Sequence, residues 1–310
     1  MIRLALLALF STALALTPSA RADDVWTQPH NGIRHLHRTD FGIDLHVVLV
    51  DLANPSLSIV ATRPVDRFIT TSEFARRYDA AVAINTNFYA RQSCGLAVGN
   101  GELFDDSYED GCTASLGFGS NNQAIAFDSS LTPRGPLPAP WVREVLTGKP
   151  WLMRDGRAEL NWQRPQRLYR SNPRSAAGLT ADRRTLVLMA ADGRRFGIEG
   201  LNGFQLVETL RSFGVSDAVN LDGGGSTSLV IDGQVVNQPS DHRERAVVTH
   251  LGVRLVARTA LRAGLGPCAN TSPRPLAWVA LAVFASLTAT LRARRNDLRC
   301  EPDSRRSPHS

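Results

Sequence analysis

Lysine is all but absent from this chain. Lys149 is its single lysine, and the other 34 of the 35 basic residues are arginine. A bias of that size fits a GC-rich coding sequence better than 34 separate demands for guanidinium chemistry. Cysteine is scarce too, at four in 310 residues. Cys94 and Cys112 have no His or Cys neighbours at zinc spacing, which argues against a thiolate metal site. No internal repeat appears between residues 23 and 260, so a repeat architecture is excluded. The middle of the chain also lacks an excess of charge. The formal net charge is +6, but residues 1–22 hold two arginines and no acid, and residues 292–310 hold six arginines and three acids. Residues 23–291 carry 27 basic and 26 acidic residues, and that near-balance removes the basis for a nucleic-acid partner. A composition of 43% hydrophobic and 21% charged residues excludes a wholly disordered chain.

The two ends read as signals rather than fold. In residues 1–22, Arg3 precedes an apolar run from Leu4 to Leu16, and Ala20-Arg21-Ala22 is a small-x-small cleavage site. This is the pattern of a secretory signal peptide, with Asp23 as the mature start. Residues 266–310 form a C-terminal tail. Its apolar segment 276–291 has 16 uncharged positions, followed by Arg292, Arg294 and Arg295. As a helix it would span about 24 Å of a hydrocarbon core of about 30 Å. The expectation is an exported protein associated with a membrane through this segment, with the arginines on the cytoplasmic side. A sorting tail or a buried helix is the alternative. Export favours a disulfide between Cys94 and Cys112; two free buried cysteines are the other possibility.

Residues 23–265 read as one α+β domain with a mixed sheet and few helices. Strand-like runs fall at 45–50, 57–61, 81–84, 115–118, 124–127, 185–190, 218–221, 228–231 and 246–256. Asp232-Gly233 is a hairpin signal. Helical patterns cover 71–78 and 202–213, the second stopped by Gly214. The segment LTPRGPLPAP at 131–140 reads as a rigid surface loop.

The most informative stretch is Asp222-Gly223-Gly224-Gly225-Ser226-Thr227, at the end of a short apolar strand. Three successive glycines weaken any regular element, so such a run needs a reason. One reason is a backbone that turns with positive φ. Another is a ligand, phosphate above all, received by successive N–H groups. Asp222 would stand at the mouth of that turn. A tight loop with a capping Asp fits the composition equally well.

AVNLDGGGSTSLV at 218–230 resembles the signature of the phosphodiester glycosidases. The resemblance continues in order through AINTNFY (83–89), WLMRDG (151–156), NPRSAAGL (172–179), LVLMAADGR (186–194), QPSDH (238–242) and RAVVTHLGV (245–253). It covers roughly residues 40–256. It implies hydrolysis of a sugar-1-phosphodiester, with the substrate a glycosyl-1-phosphodiester or phosphorylated glycan. It implies catalytic roles for Asp222, Arg174 and Asn85, and substrate contacts from Asn220, Gly223, Gly224, Gly225, Ser226, Thr227, His242 and Arg245. Arg174 suits a phosphate clamp, and Asp222 suits nucleophile, base or stabiliser of the oxocarbenium-like centre. A phosphomonoester leaves with little protonation, since its second pKa is near 6. One carboxylate is then enough. A transferase or a non-catalytic glycan-binding module of the same fold is the alternative, favoured by Thr86 and Asn87 in place of the family's paired glycines.

Other residues carry less. Asp192 reads as a turn residue, and Glu208 as a solvated partner of Arg211. His242 is an acid–base candidate or a loop histidine, and Arg245 a phosphate clamp or a carboxylate partner. His30, His35, His37 and His46 do not form a compact ligand set by spacing. No metal and no cofactor are expected.

Overall fold

The computed structural model describes residues 23–89, 92–108, 111–129, 137–160 and 167–256. The expected signal peptide (1–22), the expected C-terminal tail (266–310) and much of the proline-rich segment lie outside the described residues. Among the described residues no helix is long and apolar enough to cross a membrane. All of them belong to one compact unit within Met1–Thr259.

Three sheets and two helices build this unit. The largest sheet has eight strands, in the order β1 (Asp23–His30), β2 (Ile33–Asp40), β3 (Ile43–Asp51), β14 (Thr185–Ala191), β13 (Arg174–Thr180), β15 (Val215–Asn220), β11 (Trp151–Arg154) and β12 (Arg157–Ala158). A second sheet runs β7 (Glu102–Leu103), β6 (Val98–Gly99), β10 (Val142–Gly148), β8 (Ala114–Gly119) and β9 (Ala124–Asp128). The third runs β17 (Gln234–Val235), β16 (Leu229–Ile231), β5 (Ala80–Asn85), β18 (His250–Leu255) and β4 (Leu57–Ala61).

Every pairing between these strands is antiparallel, which corrects the expectation of a mixed sheet. A parallel pair needs a crossover element, usually a helix, and only two α-helices occur among the described residues. Helix α2 (Gly203–Ser212) does join two strands of like direction, β14 and β15. They are kept apart by β13, which pairs antiparallel with both.

The main core lies where the three sheets face one another. Val48, Leu188 and Val219 of the large sheet meet Leu116 and Phe118 of the second and Ile84, Leu229 and Leu251 of the third. Alternation along β3 and β14 turns Leu45, Val47, Val187 and Met189 to the opposite face, where Leu206, Val207 and Leu210 of α2 cover them. Helix α2 starts at Asn202, whose side chain caps Phe204 N–H and Gln205 N–H in a capping box. Helix α1 (Thr71–Tyr78) covers the outer face of the third sheet with Phe74 and Ala75. Its cap is Thr70, one residue before the expected start.

Most strand expectations match within a few residues. Outside the expected runs fall β1 and β2, whose residues are largely polar, β10 and β11, the two-residue strands β6, β7, β12 and β17, and β13, whose Ser175-Ala176-Ala177-Gly178 run has low strand propensity. Gly178 is required there, because a Cβ would sit 2.5 Å from Val215 Cγ1. Asp232 and Gly233 both take positive φ, as a two-residue hairpin demands. The hairpin closes on the short β17, not on the 246–256 run.

Cys94 and Cys112 form the expected disulfide, with Cα atoms 5.7 Å apart and 18 positions between them in sequence. Both are buried. Replacing the pair by alanine should lower the unfolding free energy by about 3 kcal/mol, the chain-entropy value for a loop of this size. Urea unfolding of oxidised wild type against Cys94→Ala/Cys112→Ala checks this.

Candidate active site at the end of the central strand

Several strand ends converge at one edge of the large sheet. β15 ends at Asn220, β14 at Ala191, β13 begins at Arg174, and β5 of the third sheet ends at Asn85. The chain after β15 bridges two sheets. Leu221 N–H donates to Ser175 O at 2.9 Å and Asp222 N–H donates to Thr86 O at 2.9 Å. Asn85 joins the same parts. It is fully buried, its Nδ2 donates to Asp222 O at 2.6 Å, and its Oδ1 accepts from Ser175 Oγ at 2.8 Å and Ser228 N–H at 3.1 Å. These bonds give Asn85 a positioning role for Asp222.

Asp222 itself is partly buried. Burial pushes its carboxyl up to about 6, opposed by hydrogen bonds from Ser226 and Gly223 N–H and by the charge of Arg245. Arg245 Nη1 donates to Ser226 Oγ at 3.3 Å, while its Nε donates to Asp241 Oδ2 at 3.1 Å. Asp241, Arg245, Ser226 and Asp222 thus form one chain of polar contacts. Arg245 serves as a carboxylate partner and, through Ser226, as a support for Asp222.

Each glycine of the turn has its own reason. A Cβ on Gly223 would sit 2.7 Å from Pro173 O. Gly224 has φ +63° and faces the Arg194 guanidinium, which a Cβ would meet at 3.1 Å. A Cβ on Gly225 would lie 2.2 Å from Arg245 Nη2 and 2.3 Å from an Asp241 oxygen. Of the expected anion-receiving amides, Gly224 N–H is bonded to Pro173 O at 2.9 Å and Gly223 N–H to the Asp222 carboxylate. The run is therefore glycine because protein groups pack on it, and two of those groups are guanidinium ions.

Arg174 is buried, with Nε donating to Leu201 O at 3.0 Å and Nη2 to Arg170 O at 2.7 Å. Burial, then the nearby Arg194 charge, lowers it to about 10. Arg194 is exposed and anchored on Asn172 Oδ1 at 3.1 Å. The sequence reading passed over Arg194, although it closes the LVLMAADGR motif. Asn220 turns its Nδ2 to Lys149 O at 2.7 Å and leaves a buried Oδ1 without a partner. Ser226 and Thr227 are buried, and Thr227 Oγ1 also has no partner. His242 is exposed and lines a cleft of about 500 Å³ with Arg195, Asn237, Gln238 and Glu244.

The reserve carboxylates separate sharply. Glu208 is exposed and pairs with Arg211, as expected. Asp192 is not a surface turn residue: it is buried, accepting from Asn237 Nδ2 at 3.0 Å, Gln238 N–H at 2.8 Å and Arg195 Nη2 at 3.2 Å. Burial raises its pKa. Glu244, unremarked in sequence, accepts from Ser72 N–H at 3.0 Å and Ser228 Oγ at 2.8 Å. Thr86 and Asn87 are buried as well. Asn87 Nδ2 donates to Ser93 Oγ, Cys94 O and Leu96 O, and its Oδ1 accepts Thr147 N–H. Asn87 thus holds the disulfide-bearing loop and Thr86 Oγ1 donates to Thr249 Oγ1 at 2.9 Å, so the departure from paired glycines is answered inside the protein. It no longer favours a changed chemistry. Three of the four histidines also come together, against expectation. His35, His37 and His46 stack in a row, and burial holds His46 down at about 3.

Asn85→Ala would strand Ser228 N–H and remove the bond to Asp222 O. It should lower the unfolding free energy by about 2–4 kcal/mol, the cost of unsatisfied buried groups. Denaturant titration measures this.

Comparison with known proteins bears on the family and the fold. The family model for phosphodiester glycosidases matches residues 78–254. Human N-acetylglucosamine-1-phosphodiester alpha-N-acetylglucosaminidase is 30% identical over 195 residues, 57% of this chain and 36% of that protein. The SPbeta prophage-derived uncharacterized protein YomE of Bacillus subtilis is 28% identical over 197 residues, 59% of this chain and 29% of that one. The chain thus spans about a third of the length of these curated relatives. Among solved structures, the catalytic domain of the zebrafish N-acetylglucosamine-1-phosphodiester alpha-N-acetylglucosaminidase, auto-inhibited by its pro-peptide, superposes with a TM-score of 0.59 at 20% identity, over 77% of this chain and 85% of that one. A putative exported protein of Burkholderia pseudomallei gives 0.53 at 16% identity, over 71% and 76%. With a family model that covers more than half of its length, this chain belongs to the phosphodiester glycosidase family.

Proposed function

We propose that this chain is an exported glycosidase that cleaves a sugar-1-phosphodiester, releasing the sugar from a phosphomonoester, in surface or extracellular glycan metabolism. The observation that carries the reading is the Asp222 turn. One partly buried carboxylate stands beside glycines on which two guanidinium ions, Arg194 and Arg245, are packed.

The chemistry follows from charge. Cleavage breaks the bond between the sugar C1 and a phosphate oxygen, and the electron pair leaves with phosphate. Water supplies the hydroxyl to C1 and a proton to the products. Asp222, with its pKa near 6, is a carboxylate at neutral pH and faces the cationic sugar centre as base or nucleophile. The departing phosphomonoester gains negative charge. Arg194, exposed on the Gly224 turn, suits that oxygen, and Arg174 behind it adds positive potential. Two neighbouring guanidinium ions disfavour each other, and an anion relieves that repulsion. His242 and Glu244 on the adjoining cleft suit the rest of the substrate. Residues 23–265 would form the catalytic unit after removal of the signal peptide, with the tail at the membrane.

A panel of glycosyl-1-phosphodiesters offered to wild type and Asp222→Asn tests this. Sugar release should fall about 10³-fold in the variant, within the range for loss of one acid–base group. Absence of release from every member by wild type would sink the proposal.

Stability gives a separate check. Asp222 has a folded pKa of about 6, above its ordinary 3.8, so the folded state binds its proton more tightly than the unfolded chain. Its contribution to stability is present below pH ~4 and is lost as pH rises through ~6. Asp222→Asn should therefore melt higher than wild type at pH 7.5, and the gap should close as pH falls from ~6 to ~4. Calorimetry across that window reads the sign directly.

A further inference from the structure

The histidine row on β2 and β3 is unused by the chemistry above. His37 and His46 are direct cross-strand partners, and Asp44 lies two residues before His46 on the same face of β3. His37 Nε2 and Asp44 Oδ1 are 2.8 Å apart, and His46 Nε2 is 3.9 Å from the same oxygen. All three ligand atoms fit within 4.8 Å of one another. From the geometry we infer that His37, Asp44 and His46 form a binding site for one divalent transition ion of the zinc class.

The surrounding bonds leave one ligand atom on each residue facing the common point. His46 Nδ1 is bonded to His35 Nε2 at 3.0 Å, and His35 Nδ1 contacts Thr27 Oγ1 at 3.4 Å. With the His46 proton on Nδ1, that nitrogen donates to His35 Nε2 and the Nε2 lone pair is left toward Asp44, the tautomer an ion would select. Asp44 Oδ2 accepts from Arg195 Nη2 at 2.8 Å, which leaves Oδ1 toward the two imidazoles. Metal-binding histidines and carboxylates are oriented by such outer partners. Tetrahedral ligands bound at about 2.0–2.2 Å lie about 3.4 Å apart, so these atoms, all within 4.8 Å of one another, need close by no more than about 1.4 Å in any pair. Two imidazoles and a carboxylate select a borderline ion over calcium or magnesium, which take oxygen ligands. The His37 side chain is 40% exposed, against 5% for His46, so the fourth position opens to water.

These residues precede residue 78, where the match to the family model begins, so the site lies outside the segment that shows the family. It still touches the active-site edge. Arg195 holds Asp44 and also Asp192, whose carboxylate anchors Asn237 and Gln238. An ion on Asp44 would order that edge without contacting substrate.

The test uses the full chain without an affinity tag, stripped by chelator and dialysed. Zinc titration by calorimetry should show one equivalent per chain, and cobalt(II) should give the visible absorption of a low-coordinate site. His37→Ala and Asp44→Asn should each weaken zinc binding at least about 10-fold. His242→Ala should leave it unchanged. Circular dichroism verifies that each variant is folded, and the wild-type titration stands whatever the variants do. No zinc uptake by wild type, or equal uptake by wild type and both site variants, overturns the assignment. Because the readout is binding, failure of the proposed glycosidase activity would not touch it.

Discussion

The buried carboxamide of Asn85 holds the candidate active-site edge together. Three segments that are far apart in sequence end on one side chain: Asp222 after β15, Ser175 on β13 and Ser228 before β16. A side-chain amide suits this junction because it offers donor and acceptor at fixed geometry, without a charge to desolvate. Leu221 and Asp222 then carry the chain from the large sheet to the third sheet in two residues. Asp222, the proposed catalytic carboxylate, sits at this crossing, beside the ends of β15 and β5.

Around that junction the protein collects positive charge near one carboxylate that burial makes reluctant to ionise. Arg174 is itself costly to keep charged, being buried and next to Arg194. Arg245 is tied to Asp241, and Ser226 passes its influence to Asp222. The glycine run makes this crowding possible. With any larger residue at 224 or 225, an arginine would have to withdraw from the turn. The glycines serve the guanidinium ions, and the guanidinium ions serve an anionic substrate in the proposed reaction. The proposed histidine site stands apart from this chemistry, and Arg195 links its Asp44 to the buried Asp192 beside the cleft.

The fold was legible where local pattern and burial agree. Leu57–Ala61 and Thr71–Tyr78 appear at the expected positions because each presents one apolar face at its proper period. β13 was illegible because its small residues answer to Val215 and Ala218 of the neighbouring strand, not to any local propensity. Antiparallel pairing throughout could not be inferred from β14, α2 and β15, since the strand between them comes earlier in the chain. Within the site, the Asp222 turn was readable as a motif, but its side-chain roles were not. Asn85 and Asn220 carry the same group, yet one is saturated with internal bonds and the other keeps a buried oxygen without a partner.

The sequence by itself determined the family and the near-neutral charge of residues 23–291, and it singled out the Cys94–Cys112 pair and the Asp222 turn as candidates. These rest on ordered motifs, charge counts and spacing, which are properties of the chain alone. Tertiary structure decided that Asp192 is a buried anchor, that Thr86 and Asn87 face inward, that Arg194 overlies the glycine turn, and that His37 and His46 meet Asp44. Each depends on which strand lies beside which. Strand pairing brings together His37 and His46, 9 positions apart, and a side-chain hydrogen bond joins Asn85 to Asp222 across 137 positions, and no local periodicity records such neighbours.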